Sequence, residues 1–187
     1  MFDSENSAAI ESVRNWVEKV IIGLNFCPFA RREVVNNKVR YCVVNLDESK
    51  FFEALSILKE EFELLDQNPN IETTLILFQS MLSDFESFLD FLIFAEKELL
   101  TLGYEGTYQL AHFHPDYCFE GVDFEDPANF TNRAPFPVLH IIREEGLERV
   151  LKHVEDPEAI PETNIEVARR MGNKQLKALL ESCIVSD

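Results

Sequence analysis

The chain has 187 residues, 46% of them hydrophobic and 27% charged, and its net charge at neutral pH is −17. That length suits one domain over 1–187 with a buried core, and the composition is that of a globular protein. A surface this acidic repels a phosphate backbone and an anionic bilayer, which argues against nucleic acid or membrane as partners.

The first residues, MFDSENSAAIESVRNW, lack the basic and apolar regions of a secretion signal. The apolar stretches that follow are repeatedly broken by charge, so no membrane span is expected. The expected location is cytoplasmic, where Cys27, Cys42, Cys118 and Cys183 are reduced thiols.

Ile10, Val13, Val17, Val20 and Leu24 recur at steps of three and four, which predicts an amphipathic helix with Trp16 widening its stripe. Gly23 and Pro28 end it. KVRYCVVN (38–45) reads as a buried strand, and Phe51, Leu55, Leu58, Phe62 and Leu65 mark a second helix, stopped by DQNPN. IETTLILF (71–78) is a second strand. Ser83 and Glu86 suggest a capping box before a helix striped by Phe85, Phe88, Leu92, Ala95, Leu99 and Leu102. Further apolar residues around that helix predict burial on several sides or contact with a partner, which leaves a homo-oligomer open. GTYQLAHF (106–113) is a third strand.

The order α-β-α-β-α-β favours an α/β fold with a small, mostly parallel sheet, the alternative being an α+β, ferredoxin-like arrangement. Residues 115–137 follow as a long loop with four prolines, five acids and Arg133 as its one base. Its aromatic residues predict an ordered loop pinned to the body rather than a disordered linker. A helix is expected from about Val138 to near Gly146. Thr163 and Glu166 suggest a second capping box, Gly172 a helix end, and Leu176, Leu179, Leu180 and Cys183 the stripe of a last helix. His153, near a helix C-terminus, reads as a partner of the helix dipole.

Chemistry-bearing residues crowd into AHFHPDYCFEG (111–121), at the carboxyl end of the third strand, where parallel sheets place their ligands. His112 and His114, two apart, share one face of that strand. Together with Cys118, and with Asp116 or a distant Cys27 or His140, they could form a nitrogen–sulfur metal site, so a transition metal is one cofactor the residues allow. Cys27 in GLNFCPFA is a candidate nucleophile or redox thiol, near Arg31 and Arg32, although the preceding helix terminus raises a thiol pKa. On a helix, His140, Arg143 and Glu144 would share one side. Arg133, beside Asn132 in the acidic loop, either pairs with a loop carboxylate or awaits an anionic ligand. Cys42 and Cys183 read as core residues.

GLNFCPFA, YQLAHFHPDY, DPANFTNRAPFPVLHIIRE and IPETNIE together resemble the uncharacterised bacterial proteins grouped as domain of unknown function 1415. The resemblance spans nearly the whole chain and implies no activity. It implicates Cys27, Pro28, His114, Pro115, Asn132, Arg133, His140 and Arg143. The family pattern usually has a small residue in place of His112 and commonly a glutamine in place of Cys118, which leaves Cys27, His114 and His140 as the better constellation.

Three readings follow. The first is an enzyme-like domain in which Cys27 is the thiol, His114 or His140 the base, and Asn132, Arg133 and Arg143 bind a small anionic substrate in thiol redox or acyl or amide transfer. The second is a metal-binding protein using Cys27, His114 and His140 with an open position. The third is a non-catalytic protein-interaction module.

Overall fold

The computed structural model describes residues 4–152, 154 and 156–185, so His153 lies outside the described residues. Helix α1 (Ser4–Trp16) runs into a π-helical turn (Val17–Ile22), and together they bury Val13, Trp16, Val17, Val20 and Ile21. The wider turn ends at Gly23, where a Cβ would overlap the carbonyl oxygen of Lys19. Asn25, at φ 58°, then reverses the chain into Phe26, Cys27 and Pro28. Asparagine tolerates this left-handed geometry better than most residues.

Beyond that reversal come α2 (Ala30–Val35), β1 (Val39–Val44), α3 (Phe51–Gln67), β2 (Thr73–Phe78), α4 (Phe85–Thr101) and β3 (Tyr108–Phe113). Strand β4 (Val138–Arg143), α5 (Glu144–Leu151), α6 (Ile160–Met171) and α7 (Asn173–Glu181) complete the chain. The sheet order is β1-β2-β4-β3. β1 pairs in parallel with β2, and β4 pairs antiparallel with both β2 and β3. Strands β1, β2 and β3 therefore point one way and β4 alone runs against them. The fold is α/β as expected, on a mixed sheet with one parallel and two antiparallel pairings.

Each face of the sheet carries its own core. On one, Ile76, Phe78, Leu139 and Ile141 pack against α3 and α4 through Leu58, Phe62, Phe88 and Phe91. On the other, Leu75, Leu77 and Val138 meet Val13, Trp16, Val20, Ala168 and Leu176. All six residues of β2 are buried, as a strand covered on both faces requires. Each fully buried Phe or Leu contributes about 1.5–3 kcal/mol.

Three local expectations are corrected. Residues 138–143 form a strand rather than a helix, because Val138, Ile141 and Ile142 fit the pleat between the open edge of β2 and β3, which β4 joins to the sheet. The N-cap of α4 is Asp84, whose carboxylate accepts from the Ser87 amide and hydroxyl, and not Ser83. Helix α6 begins at Ile160 with Pro161 in its first turn, so Thr163 lies inside it.

The 115–137 loop is held by polar anchors as well as rings. Asn129, 0% exposed, accepts from the Phe119 amide and donates to the Asp123 and Phe124 carbonyls. Asp126 caps a short 3-10 turn (Pro127–Thr131) and forms a two-pronged pair with Arg169 of α6 at 3.1 and 2.8 Å. Phe130 is buried and Phe136 half-buried.

Candidate functional site: a cavity under the first helix

Strand alternation and register decide what meets here. Leu75 of β2, His140 of β4 and Ala111 of β3 are aligned across the sheet, and their side chains share the face under α1 with Thr73, Phe113 and Ile142. Trp16, Val17 and Ile21 lie above, the Phe26–Ala30 turn at one side, and Leu147, Val150 and Ile165 of α5 and α6 at another. They enclose a largely apolar cavity of about 420 Å³. Cys27, Glu33, Glu72, Thr73, Asn132 and His140 are the polar groups on its wall that bear on chemistry.

Thr73 Oγ1 contacts both the Ile141 carbonyl oxygen and His140 Nε2. A hydroxyl has one proton, and the carbonyl can only accept it. His140 Nε2 must therefore carry the ring proton and donate to Thr73, leaving Nδ1 as a bare lone pair. Nδ1 has no partner among the described residues, and it is not among the polar atoms sealed from solvent, so it opens onto the cavity. Burial pushes the ring pKa down to about 4, so the imidazole is neutral near pH 7.

Cys27 sits where the Phe26 carbonyl is fixed by Asn164 Nδ2 of α6 at 2.7 Å. Burial pushes its thiol pKa up, opposed in part by the amides of Phe29 and Ala30. Glu33 Oε2 is buried without a hydrogen-bond partner among the described residues, and Glu33 Oε1 lies 3.8 Å from Arg32 Nε. Glu72 is 3.7 Å from Lys38 Nζ. A Cβ at Gly146 of α5 would overlap Glu72 Oε1, so that glycine makes room for the carboxylate.

The sheet divides the constellation expected from sequence. Cys27, Asn132 and His140 line the cavity, with Arg143 at its border, whereas His114 lies on the opposite face, 0% exposed, against Phe85 and Phe88. His114 is fully engaged: Nδ1 accepts from the Asp116 amide at 3.0 Å and Nε2 donates to the Leu82 carbonyl at 3.1 Å. That carbonyl belongs to a left-handed leucine at φ 59°, so His114 braces a strained turn. His112 shares this face, near Phe88 and Tyr117, and the Cys118 thiol donates to the Phe119 and Val122 carbonyls. Among the described residues no three His, Cys, Asp or Glu side chains converge as a metal-ligand set.

Neither arginine is free to grip an anion. Arg133, 8% exposed, donates to the Tyr117 and Phe124 carbonyls and is sandwiched by the Phe124 and Phe130 rings. The Arg143 guanidinium turns to the α3 face, onto the Leu65 and Ile71 carbonyls and the Tyr108 hydroxyl. On a strand, residues 140 and 143 point to opposite faces, which separates the pair that a helix would have joined. The cavity also lies over the sheet face rather than beyond the carboxyl ends of the strands. Thr73, Glu33 and Glu72 went unnoticed in the sequence, because nothing local to ETTLILF or RREVV marks them as cavity-facing.

The family model described as Protein of unknown function (DUF1415) matches residues 8–178. The chain belongs to that family. Every residue named on the wall of the cavity lies within the matched span of this DUF1415 member. No curated protein and no solved structure matches it. Among the described residues no helix is long and apolar enough to cross a membrane.

Proposed function

We propose that this DUF1415 protein is a cytosolic, enzyme-like domain that binds a small, mostly apolar molecule in the cavity and transforms it with Cys27 and His140. One observation carries the reading: a thiol and an imidazole with an unclaimed Nδ1 share the wall of a single apolar cavity of about 420 Å³. Ligand sites of about 300–1,000 Å³ combine such walls with a few placed polar groups.

Acyl or amide transfer suits this pair better than dithiol redox, since among the described residues Cys27 is the one cysteine on the wall. In that step the Cys27 sulfur bonds to the carbonyl carbon, His140 Nδ1 takes the thiol proton, the bond to the leaving amine or thiolate breaks as that group recovers the proton from the ring, and water or an acceptor amine then takes the acyl group from sulfur. With the thiol pKa raised and the imidazole at about 4, the two rest as a neutral pair. The proton therefore moves only as the new bond forms. Turnover of small apolar thioesters and amides tests the proposal. Cys27→Ser should abolish it, and His140→Gln should lower it by about 10²–10⁴. Unchanged turnover in Cys27→Ser would sink the assignment.

An interaction role rests on a separate observation. Phe52 is 75% exposed, and Ile93, Phe94 and Leu100 of α4 are exposed as well. Phe52→Ser should then reduce self-association in sedimentation, and a monomeric wild type argues against a homo-oligomer built on this face.

A further inference from the structure

We infer that the cavity holds an unbranched fatty acyl chain of about 12–16 carbons with an uncharged head, lying across the strands. The inference rests on the reading of the cavity as a small-molecule site. It names the class of molecule from the length, volume and charge of the space.

The sheet register sets the length. Val39 of β1, Thr73 and Leu75 of β2, His140 and Ile142 of β4 and Ala111 of β3 all border the cavity. In the order β1-β2-β4-β3 the space therefore crosses the whole sheet, three strand spacings or about 14 Å. A fully extended backbone advances about 3.3–3.6 Å for every three bonds, so about 12 bonds span that distance. Volume gives a second count. A dry cavity of about 150 Å³ accommodates benzene, or about 25 Å³ for each carbon, so about 420 Å³ accommodates about 17. The two counts bracket a chain of fatty length.

The wall then chooses among molecules of that size. Val17, Ile21, Val34, Leu147, Val150 and Ile165 close over the strands, so methylene groups are desolvated along the whole path. A single ring would fill about a third of the space and leave the remaining lining without contact partners. The head cannot be a carboxylate. Glu33 and Glu72 border the cavity, and Arg143, the one Lys or Arg among the described residues that border it, turns its guanidinium to the α3 face. A free fatty acid would meet like charge and no counter-ion. An ester or thioester carbonyl brings no charge to desolvate, and it is the group that a thiol attacks.

Trp16, the single tryptophan of the chain, borders the cavity, with its indole fixed by Nε1 donating to the Arg133 carbonyl at 3.0 Å. Its emission therefore reports occupancy of the full, unlabelled chain. The probes are butanol, octanol, dodecanol and octadecanol for length, and methyl dodecanoate against dodecanoate for the head. Affinity should rise about fourfold with each added methylene and level off at about 12–16 carbons, so octadecanol gains nothing over that plateau. Methyl dodecanoate should bind at least about tenfold more tightly than dodecanoate. Ala111→Phe and Val39→Phe take space from opposite edges of the sheet, and each should move the plateau to a shorter chain while butanol binds as before. Either variant serves alone should the other fail to fold. An affinity that stops growing at octanol, or tighter binding of a fused-ring alcohol such as cholesterol, would overturn the chain and leave the cavity reading in place. Equal binding of dodecanoate and its methyl ester would overturn the uncharged head, and a plateau unmoved in both variants would put the chain outside this cavity. If no probe changes Trp16 emission, the chain and the small-molecule reading fall together.

Discussion

Thr73 decides which nitrogen of His140 faces the cavity, and this one hydroxyl is the most consequential contact of the site. In Thr73→Val the acceptor for Nε2–H is lost, and the ring should populate both tautomers. Nitrogen-15 shifts of His140 would report a single Nε2–H form in wild type and a mixture in the variant. A single unchanged form in both would mean that something else orients the ring. Cys27 should react with iodoacetamide faster than Cys42 or Cys183. Cys183 is fully buried, and burial together with Glu61 pushes the Cys42 thiol up to about 12, whereas Cys27 borders the cavity. Equal, slow labelling of all three would make Cys27 an inert core thiol. Arg133 shows where residue-level reading stops. A lone arginine among five carboxylates suggests a loop ion pair or an anion clamp, yet its partners are two main-chain carbonyls and two rings. Main-chain acceptors leave no trace in residue identity. Arg133→Lys should therefore cost about 1–3 kcal/mol in urea unfolding, because a lysine cannot span both carbonyls and stack on both rings. A loss below that range would place its guanidinium outside the framework of the loop.

Among the elements, β4 separates what periodicity can settle from what it cannot. In VLHIIR the apolar positions 138, 139, 141 and 142 satisfy helical spacing and a strand covered on both faces equally well. Three β-branched residues of six tilt the balance toward strand, but the deciding factor is the pair of open ladders on β2 and β3. That information is tertiary. The other three strands carried their own signal, and 38–45, 71–78 and 106–113 contain β1, β2 and β3 whole. Alternation also placed His112 and His114 on a common face, although that face is the one away from the cavity. Helix starts were legible only to within a residue, since Ser83 and Asp84 are both good capping types. The geometry separates them: Asp84→Ala should cost about 1 kcal/mol while Ser83→Ala costs a few tenths at most. Chemical denaturation of the two variants distinguishes the assignments, and the reverse order would restore the capping box.

At the scale of the whole molecule, charge and buried histidines pull stability in opposite directions as pH falls. The cavity itself was not legible at this scale, because its wall is assembled from α1, the Cys27 turn, α2, the four strands, α5 and α6, which are far apart in sequence. The charge of −17 at neutral pH was legible from composition, and its self-repulsion relaxes as carboxylates protonate toward the isoelectric point near 4.6. This term stabilises the folded chain on acidification. His140 acts against it. Above about pH 6.5 its ring is neutral in both the folded and the unfolded chain, so pH has no hold on it. Between about 6.5 and about 4 the unfolded chain takes up the proton and the folded chain does not, so stability falls as pH falls. Burial lowers the pKa of His112 and His114 too, in the same direction. His140→Gln isolates one ring, since the glutamine amide can still donate to Thr73 while the global charge and the other histidines are common to both proteins. Urea unfolding from about pH 7.5 to about pH 5 should show the variant gaining on wild type progressively below about pH 6.5. Parallel curves through that window would mean that His140 protonates as readily in the folded chain as in the unfolded one.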